Sequence, residues 1–473
     1  MPAPPAPLLD LVESAGQPQL LAFWDRLDAP GRSRLQAQLQ RLDWSQIAVC
    51  RRLAADRGAA ASPPPLSLER ASTPHCHQLD GDDGAAIAAG REMLAAGSVG
   101  AVLMAGGQGT RLGFDGPKGT FPIGPVSGAS LFELLLGRLA AVAKRYGRPV
   151  PLAIMTSGAT DAATREFLKR HRFCGLDPDA VWIFRQGTLP AIDAGTGKLL
   201  LDAPDRVAVA PDGHGGMLGA LAGSGGLDWF AGRGIDTVVT FQVDNPLARS
   251  IDPEFLGHHR LSDADVTTQV VAKTDPAERV GVVVVQDGVT RVVEYSDLPE
   301  SLAAERLADG RLRFHAGSIA IHAFRREFLE HTAAAADSLP LHVAHKKVPF
   351  LDEAGRLTRP DRPNACKFER FIFDLMPLAN RVTVAEVTAA EGFAPLKNPS
   401  GSPSDSPESV RLAVVAYARR HLAAAGISVA DGIDVELDTA TILDDDDLRK
   451  LAAVGGLPGN SIDRPMVVRA DGD

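Results

Sequence analysis

The fold of this chain is decided by one stretch, Ala105-Gly106-Gly107-Gln108-Gly109-Thr110-Arg111-Leu112-Gly113, which follows the apolar run Val102 to Met104. The apolar run predicts a buried strand. Glycines after a strand allow positive φ angles and a close approach of the backbone to a ligand. Successive N–H groups in such a turn can bind phosphate oxygens. Arg111 and the nearby Lys118 add the positive charge that a triphosphate needs, so the stretch predicts a phosphate-binding loop.

The spacing of the glycines separates this loop from other glycine-rich motifs. A dinucleotide-binding fingerprint needs G-x-G-x-x-G, whereas Gly107, Gly109 and Gly113 are one residue too widely spaced. A P-loop needs G-x-x-x-x-G-K-[ST], which the chain does not contain. A tight surface turn is the remaining alternative. The combination of Arg111 with Pro117-Lys118-Gly119 behind a strand favours a ligand-binding loop over that turn.

Short apolar runs alternate with helical patterns on the carboxyl side of the loop. Leu152 to Met155, Val181 to Phe184 and Val238 to Val243 predict strands, and Leu131, Leu135, Leu139 and Val142 mark one face of a helix. This alternation is typical of βαβ units, so we expect an α/β fold with a mostly parallel sheet. Asp287-Gly288 between two valine-rich runs predicts an inserted antiparallel hairpin.

The two ends of the chain differ from this central pattern. Leucines at helical spacing, with Trp24, predict a helical N-terminal region over 1–95, and Ala59–Pro65 predicts a linker within it. Residues 96–398 form the predicted catalytic domain. In its last part Phe368, Phe371, Ile372, Leu375 and Leu378 predict an amphipathic helix that Lys367 opens. The Ser/Pro-rich segment 399–407 predicts a loop that leads to a small C-terminal region, 399–473, with a helix from about Glu408 to Ala425.

Composition excludes several classes of protein. The formal net charge is −10 over 473 residues, so we expect no nucleic-acid partner, which would need a basic face. No apolar stretch is long enough to span a bilayer and no signal peptide is visible, so we expect no membrane partner and a cytoplasmic location. His75-Cys76-His77 lacks further ligands at a zinc spacing and predicts a loop. Asp444 to Asp447 predicts a solvated helix start.

Seven further segments follow the glycine-rich loop along the chain: Phe184–Ala191, Ala210–Gly216, Gln242–Asn245, Val292–Asp297, Phe314–Ala320, Cys366–Asp374 and Phe393–Asn398. Together with that loop and Pro117-Lys118-Gly119, they resemble the sugar nucleotidyltransferases. The likeness is to the UDP-sugar pyrophosphorylases of the eukaryotic type, and most of all to the UDP-N-acetylhexosamine pyrophosphorylases. It covers about residues 8 to 400 in the same order, including Ala15-Gly16-Gln17 near the N-terminus.

The resemblance implies a fold and a reaction. The fold is a Rossmann-like, GT-A-like nucleotidyltransferase domain with a mixed, mostly parallel sheet, a helical N-terminal region and a small C-terminal region. The reaction is attack by a sugar 1-phosphate oxygen on the α-phosphorus of UTP, which yields a UDP-sugar and pyrophosphate. Such chemistry requires positioning and charge neutralisation, with little covalent work by the protein. We therefore expect an enzyme whose partners are UTP, sugar 1-phosphate, UDP-sugar and pyrophosphate.

The resemblance also assigns roles to residues of this chain. Those expected to be catalytic are Arg111, Lys118 and Lys367. Those expected to bind the nucleotide are Ala105, Gly106, Gly107, Gly109, Thr110, Gln186, Gly213 and Asp244. Those expected to bind the sugar are His214, Glu294, His315 and Ser318, while Lys397 is expected to bind pyrophosphate.

Magnesium is the expected cofactor. Asp244 follows the apolar run Val238 to Val243, and open α/β sheets bind ligands where parallel strands end. Mg²⁺ prefers carboxylate and phosphate oxygens. Asp244 is therefore the candidate ligand, although Asn245-Pro246 behind it would also suit a turn aspartate.

The sugar pocket departs from the family pattern. His315 and Ser318 replace two asparagines, His214 replaces a third, and Gly158 stands where a glutamate is usual. The nucleotide half matches better, so uridylyl transfer is a firmer expectation than N-acetylglucosamine 1-phosphate as the sugar. Glucose 1-phosphate or another hexose phosphate is the alternative substrate. A non-catalytic UDP-sugar-binding paralogue is a further alternative, and a glycosyltransferase is disfavoured because Asp244-Asn245-Pro246 is not a D-x-D motif.

Overall fold

The computed structural model describes residues 3–56, 68, 70–334, 339–457 and 461–470. The predicted linker Ala59–Pro65 lies outside these residues. The chain forms two compact units, each assembled from separate segments of the sequence. The first contains Met1–Leu66, Gln186–Met217 and Ala336–Asp374, and the second contains Ser67–Arg185, Leu218–Ala335 and Leu375–Asp473. The division into regions 1–95, 96–398 and 399–473 stays a prediction.

The α-helices of the described residues begin in the N-terminal segment and recur through to the C-terminal one. They are α1 Ala6–Ser14, α2 Ala29–Arg41, α3 Trp44–Ala55, α4 Gly84–Ala96, α5 Leu131–Tyr146, α6 Asp161–Arg170, α7 Met217–Gly223, α8 Gly226–Ala231, α9 Pro253–Leu261, α10 Glu300–Ala303, α11 Arg326–Ala333, α12 Ala389–Gly392, α13 Pro407–Ala424 and α14 Asp445–Ala453. None of them is both long enough and apolar enough to cross a bilayer.

The strands of the described residues are mostly short. They are β1 Cys76–Gln78, β2 Val99–Met104, β3 Leu152–Thr156, β4 Val181–Arg185, β5 Thr188–Pro190, β6 Ile192–Asp193, β7 Leu201–Ala203, β8 Arg206–Val207, β9 Val209–Pro211, β10 Thr237–Gln242, β11 Val266–Ala272, β12 Val282–Gln286, β13 Val289–Val293, β14 Ala316–Arg325, β15 His342–Lys346, β16 Phe350–Leu351, β17 Leu357–Thr358, β18 Ala365–Glu369, β19 Val382–Glu386, β20 Ser428–Val429, β21 Val435–Leu437, β22 Ser461–Ile462 and β23 Met466–Val468.

The second unit is built on one large sheet. Its strand order is β1-β19-β11-β14-β10-β2-β3-β4, and the hairpin β12–β13 joins it through β14. All neighbours along this order are parallel except β14, which is antiparallel to both β10 and β11. The predicted mixed, mostly parallel sheet is therefore confirmed. The predicted hairpin is confirmed too, with positive φ at Asp287 and Gly288.

The sheet brings the ends of its parallel strands to a single edge. β2, β10 and β11 run in the same direction, so the segments that follow them lie at one edge, where β14 begins because it runs the opposite way. Ligands of open α/β sheets bind at such a carboxyl edge. The glycine-rich loop, Asp244 and the start of β14 therefore share the edge that the sequence analysis assigned to ligands.

The core of the second unit unites its central and C-terminal segments. Helix α5 begins with a capping box between Ser130 and Glu133 and ends at Gly147, whose φ is +63°. Its leucines share one apolar cluster with β2, β3, α13 and the strands near the C-terminus. The predicted helix from Glu408 to Ala425 is confirmed as α13. The Asp444 to Asp447 run does start a helix, α14, with Asp444 as its N-cap.

The first unit contains an antiparallel sheet of β15, β18 and β6, which shares an apolar cluster with helices α1 to α3. The prediction that a helix begins at Lys367 is wrong, because Lys367 lies within β18. Cys366 and Phe368 alternate with more exposed neighbours, which is strand periodicity, and a 3₁₀ helix begins only at Ile372. In the second unit Cys76 and His77 belong to β1, so the predicted loop is also wrong at those positions.

Candidate active site

The glycine-rich loop folds back on itself at the carboxyl end of β2. The Ala105 N–H donates to the carbonyl of Met155 on the neighbouring strand, at 2.8 Å. The Gly109 N–H then donates to the Gly116 carbonyl at 2.9 Å, and the Lys118 N–H donates to the Gly107 carbonyl at 3.0 Å. Because these bonds close the loop, Lys118 lies beside its first glycines, although it is 11 residues from Gly107 in sequence.

Lys118 and Asp244 form the charged centre of this edge. The Lys118 ammonium donates to Asp244 Oδ2 at 3.3 Å and to the Leu396 carbonyl at 2.9 Å. Both side chains are largely buried, with 17% and 14% of their surface exposed. The Leu396 N–H donates to the Asp244 carbonyl at 2.8 Å. The structure thus brings together two predicted site residues from distant segments and adds a backbone carbonyl that the sequence analysis did not identify.

Two cations near the carboxyl edge of the large sheet, Lys397 and Arg111, are more exposed than Lys118. Lys397 directly follows Leu396, and its ammonium lies 5.7 Å from the centroid of the Phe393 ring. The N–H groups of Lys397 and Asn398 donate to the Asp405 carbonyl at 2.8 and 2.9 Å. Arg111 lies in a 3₁₀ turn, Thr110–Leu112, and its side chain is exposed. Both cations are open to an anionic ligand.

The predicted sugar residues of the second unit cluster where β14 begins. The His315 Nδ1–H donates to the Leu312 carbonyl at 3.0 Å, which leaves Nε2 of a neutral ring as an acceptor. The Ser318 N–H donates to the Gly281 carbonyl at 2.8 Å. Ser318 Oγ is shielded from solvent and has no hydrogen-bond partner among the described residues. Such an orphan hydroxyl is suited to a ligand group.

Two further features shape this cluster. A side chain at Gly281 would lie 3.1 Å from Glu294 Oε1, so the glycine leaves room for that carboxylate. The pairing of β11 with β14 shifts register between Gln269 and Val270, and Ala320 on the partner strand has a φ of +56°. This bulge sets the direction of the residues before it.

The first unit carries the second predicted glycine-rich loop. Gly213 has a φ of +85°, and a side chain there would lie 2.4 Å from the Arg370 carbonyl oxygen. Side chains at Gly187 and Gly216 would each lie 2.3 Å from an oxygen of Asp212. Close packing therefore requires glycine at all three positions, and at Gly213 the backbone angle requires it as well.

His214, which follows Gly213, has a fixed hydrogen-bonding state. Its Nδ1 accepts the Ile372 N–H at 3.1 Å, so Nε2 of the neutral ring carries the proton and is a donor. The ring lies 5.3 Å from the Phe371 ring and 5.7 Å from the Phe373 ring, measured between centroids. Burial, reinforced by His342, lowers the pKa of the imidazole to about 4. His214 is therefore a neutral donor near pH 7.

Gln186 and Lys367 are the remaining predicted site residues of the first unit. Gln186 lies in the connection between β4 and β5 and is partly buried. Lys367 lies in β18 opposite Ala344 of β15, so its predicted place at a helix start is corrected to the middle of a strand. Its predicted catalytic role, like the roles of the other site residues, stays a prediction.

Sequence reasoning missed two groups that shape these sites. Asp212 lies in the second glycine-rich segment and was not among the predicted site residues, although Gly187 and Gly216 both make room for its carboxylate. Facing glycines in separate segments are the one signal that could have identified it. The Leu396 carbonyl carries no sequence signal, because any residue supplies a carbonyl.

Comparison with known proteins adds independent support. A family model described as UTP–glucose-1-phosphate uridylyltransferase matches residues 77–402. The chain is 39% identical over 446 residues to the UDP-N-acetylhexosamine pyrophosphorylase-like protein 1 of Mus musculus, a match that covers 90% of this chain and 87% of the mouse protein. It is 36% identical over 451 residues to the UDP-N-acetylglucosamine pyrophosphorylase of Saccharomyces cerevisiae, covering 90% of this chain and 92% of the yeast protein.

A solved structure has the same fold. The crystal structure of the uridine diphosphate N-acetylglucosamine pyrophosphorylase from Trypanosoma brucei, in complex with an inhibitor, aligns with a TM-score of 0.82 at 24% sequence identity. The alignment covers 100% of this chain and 99% of that chain. At this identity the likeness concerns the fold alone, and it confirms the predicted α/β architecture.

Proposed function

The chain belongs to the UDP-sugar pyrophosphorylase family of uridylyltransferases, and we propose that it converts UTP and N-acetylglucosamine 1-phosphate into UDP-N-acetylglucosamine and pyrophosphate. The observation that carries this proposal is the Lys118–Asp244 pair behind a glycine-rich loop at the carboxyl edge of the sheet. Two largely buried opposite charges at a ligand-binding edge are suited to a polyphosphate and its counter-ion.

The reaction is a displacement at phosphorus. An oxygen of the sugar 1-phosphate forms a bond to the α-phosphorus of UTP, and the bond from that phosphorus to the bridging oxygen of pyrophosphate breaks. Lys118, Arg111 and Lys397 supply the positive charge for the triphosphate and for the pyrophosphate that leaves. The glycine-rich backbone holds the phosphates in place, so the protein contributes orientation and charge rather than a covalent intermediate.

Asp244 is the residue that would hold Mg²⁺. The described residues contain no group of three His, Cys, Asp or Glu side chains able to form a complete metal site. Mg²⁺ is usually held by one or two carboxylates together with substrate phosphates and water, so a single carboxylate beside a phosphate-binding loop fits this ion. When bound, the ion neutralises charge on the phosphates. At the scale of the fold, we assign the sheet to the GT-A-like type, and a cytoplasmic location forms part of the same proposal.

Each unit, taken by itself, presents predicted sugar-binding groups. In the second unit, Glu294, His315 and Ser318 offer a carboxylate, a ring nitrogen and an orphan hydroxyl. In the first unit, His214 offers a neutral N–H donor. An acetamido group needs both a donor and an acceptor, and in the second unit the Ser318 hydroxyl can donate while the Glu294 carboxylate accepts. Glucose 1-phosphate is the second candidate because Ser318 and the two histidines replace asparagines that the family uses.

A panel of sugar 1-phosphates tests the proposal. The purified chain would be incubated with UTP, Mg²⁺ and either N-acetylglucosamine, N-acetylgalactosamine or glucose 1-phosphate, and released pyrophosphate would be measured. We expect the highest kcat/KM with an N-acetylated sugar. If only glucose 1-phosphate reacted, it would be the substrate and N-acetylglucosamine 1-phosphate would not. Binding of UDP-sugar without pyrophosphate release from any sugar would identify a non-catalytic binder.

A further inference from the structure

Glu436 is a buried carboxylate far from the predicted site in sequence. It lies in β21, in the C-terminal segment, and only 2% of its surface is exposed. One oxygen accepts the N–H groups of Val126 and Ser127, at 3.0 and 2.9 Å, and the other accepts the Ser127 hydroxyl at 2.7 Å. Among the described residues no cation pairs with it. The carboxylate therefore depends on this single turn for its polar partners.

The turn that Glu436 holds is tightly built. The N–H groups of Ile123 and Gly124 both donate to the Ala129 carbonyl at 2.9 Å, and the Gly128 N–H donates to the Gly124 carbonyl at 3.1 Å. A side chain at Gly124 would lie 2.9 Å from Glu436 Oε1, so the turn is shaped around the carboxylate. Residues 123–129 and Glu436 consequently form one hydrogen-bonded unit, which we call the Glu436 turn.

The Glu436 turn is connected to Lys118 by a short chain of hydrogen bonds. The Phe121 N–H donates to the Lys118 carbonyl at 3.0 Å, and the Leu131 N–H donates to the Phe121 carbonyl at 3.1 Å. Lys118 in turn donates its N–H to Gly107 in the glycine-rich loop. The turn is thus connected to Lys118 by two hydrogen bonds and the short covalent step from Ala129 to Leu131.

A second contact from the same C-terminal segment acts on this loop. The Arg411 guanidinium, on α13, donates to the Pro122 carbonyl at 3.0 Å. Thr439, three residues beyond Glu436, instead donates its hydroxyl to the Leu134 carbonyl of α5 at 2.7 Å. The segment thus touches both the loop that carries Lys118 and the helix behind it, and Glu436 is the buried charged group among these contacts.

From this geometry we infer that Glu436 is a positioning residue: it fixes the loop that carries Lys118, so that the ammonium meets the triphosphate. The inference deepens the proposed function, because it rests on Lys118 as a triphosphate ligand. It also gives the C-terminal segment a role in the reaction without a contact to substrate. Low exposure and three hydrogen bonds make the effect of Glu436 specific to this turn.

A double-mutant cycle tests the inference. Glu436→Gln keeps the size of the side chain but removes its charge and one accepting oxygen. The bonds from the Val126 and Ser127 N–H groups are therefore weakened, and the Ser127 hydroxyl has to turn and accept from the amide. We expect the variant to lose about tenfold or more in kcat/KM for UTP and in the affinity for UTP with Mg²⁺ measured by calorimetry. In a Lys118→Ala background the same change should cost less than twofold, because its effect passes through Lys118.

Two controls separate positioning from general destabilisation. Asp434→Asn removes an exposed carboxylate two residues before Glu436 and should leave kcat/KM unchanged. Thr439→Ala removes the bond to α5 and should lower Tm without lowering UTP affinity. Equal losses from Glu436→Gln in both backgrounds, or a loss of UTP affinity in Thr439→Ala as large as in Glu436→Gln, would overturn the inference.

The readouts also distinguish this inference from the proposed function. If no sugar 1-phosphate reacts with the unmodified chain, the proposed function is lost, and the calorimetric cycle with UTP and Mg²⁺ still decides the role of Glu436. If the unmodified chain does not bind UTP with Mg²⁺, Lys118 is not a triphosphate ligand and the inference falls with it.

Discussion

At the scale of single residues, the site depends on a cation and an anion held together before any ligand binds. The Lys118 ammonium shares its hydrogen bonds between the Asp244 carboxylate and the Leu396 carbonyl. Removal of one partner from a largely buried pair leaves the other charge without compensation. Lys118 and Asp244 should therefore be sensitive to substitution in different ways, one through phosphate binding and the other through the metal requirement.

Lys118→Ala should reduce kcat by about 100-fold or more, the typical cost of removing one group that stabilises developing charge. The fold should survive, since the residue lies in a short 3₁₀ turn at the site. Pyrophosphate release measures the activity, and circular dichroism measures the fold. Lys144→Ala, which changes an exposed lysine on α5, is the matched control. Near-normal turnover in Lys118→Ala would refute the assigned role.

Asp244→Asn should raise the Mg²⁺ concentration needed for half-maximal rate by about tenfold, because an amide oxygen is a weaker ligand for Mg²⁺ than a carboxylate. The measurement is initial rate against Mg²⁺ concentration, after chelation with EDTA. Asp228→Asn, an exposed residue of α8, removes the same charge elsewhere. An unchanged Mg²⁺ dependence in Asp244→Asn would mean that Asp244 is a turn aspartate and not a ligand of Mg²⁺.

His214 gives a pH dependence with a defined sign. Burial places its pKa at about 4 in the folded chain, below the ordinary value of 6.5. As pH falls from about 6.5 towards 4, the unfolded chain takes up the proton first, so the free energy of unfolding decreases across this range. Above pH 6.5 the stabilising contribution is complete. The free energy of unfolding, measured by urea denaturation, should fall between pH 7.5 and pH 4.5 in both proteins. The fall should be larger in the natural chain than in His214→Gln, by about 2 kcal/mol.

Comparison with His214→Gln isolates this effect from other groups. His259, in the second unit, also has its pKa lowered to about 4 by burial, and it contributes equally to both proteins. The same neutrality predicts that KM for the sugar 1-phosphate changes little through His214 between pH 5 and 8. An identical pH dependence of stability in the two proteins would show that His214 titrates normally.

At the scale of elements, the second glycine-rich loop owes its shape to close packing. Positions 213 and 215 approach the backbone of residues 370 and 371, whereas 187 and 216 approach Asp212. The strand β18, which ends at Glu369, leads directly into residue 370. A helix rises about 1.5 Å per residue, whereas a strand rises about 3.3 Å. The helix that the apolar spacing predicts would therefore be shorter than β18, and residues 370 and 371 would not reach the glycines of the loop.

Gly213→Ala should weaken binding of UDP-N-acetylglucosamine by tenfold or more, because the new Cβ meets the Arg370 carbonyl and the loop must shift. Gly197→Ala is the matched control in the same unit. Gly197 also has a positive φ, +68°, but a side chain there meets no atom within 4 Å, so this variant tests backbone strain alone. Calorimetry measures both affinities. Equal losses in the two variants would mean that strain, and not the close approach, is responsible.

At the scale of the whole molecule, the C-terminal segment completes the core of the second unit. Its buried members include residues of α13 and of the strands near the chain end, and they share a cluster with leucines of α5 and β2. Each fully buried aliphatic side chain contributes about 1.5–3 kcal/mol, so several of them equal the net stability of a typical domain of about 5–15 kcal/mol. The segment is thus an integral part of the unit.

Val468→Asp should destabilise the second unit by about 3 kcal/mol or more, because residue 468 is fully buried in the last strand and a carboxylate there would have no partner. Val454→Asp introduces the same charge in the same segment at a position that is 80% exposed, and it should change stability by about 0.5 kcal/mol or less. Thermal unfolding measures both. A similar Tm for the two variants would mean that the C-terminal strands contribute little to the core.

Local periodicity and ordered motifs were enough to predict the fold class, the positions of the central strands, the hairpin at Asp287-Gly288 and the family. The strand at Lys367 depends on long-range pairing. Phe368 and Ile372 satisfy a helical spacing, but β15 and β6 pair with the segment and hold it as a strand. Tertiary packing likewise sets the contacts of Lys118 with Asp244 and Leu396, and of Glu436 with Val126 and Ser127. Those contacts join segments more than 100 residues apart, and no pattern within a short window of sequence encodes which distant groups a sheet will bring to one edge.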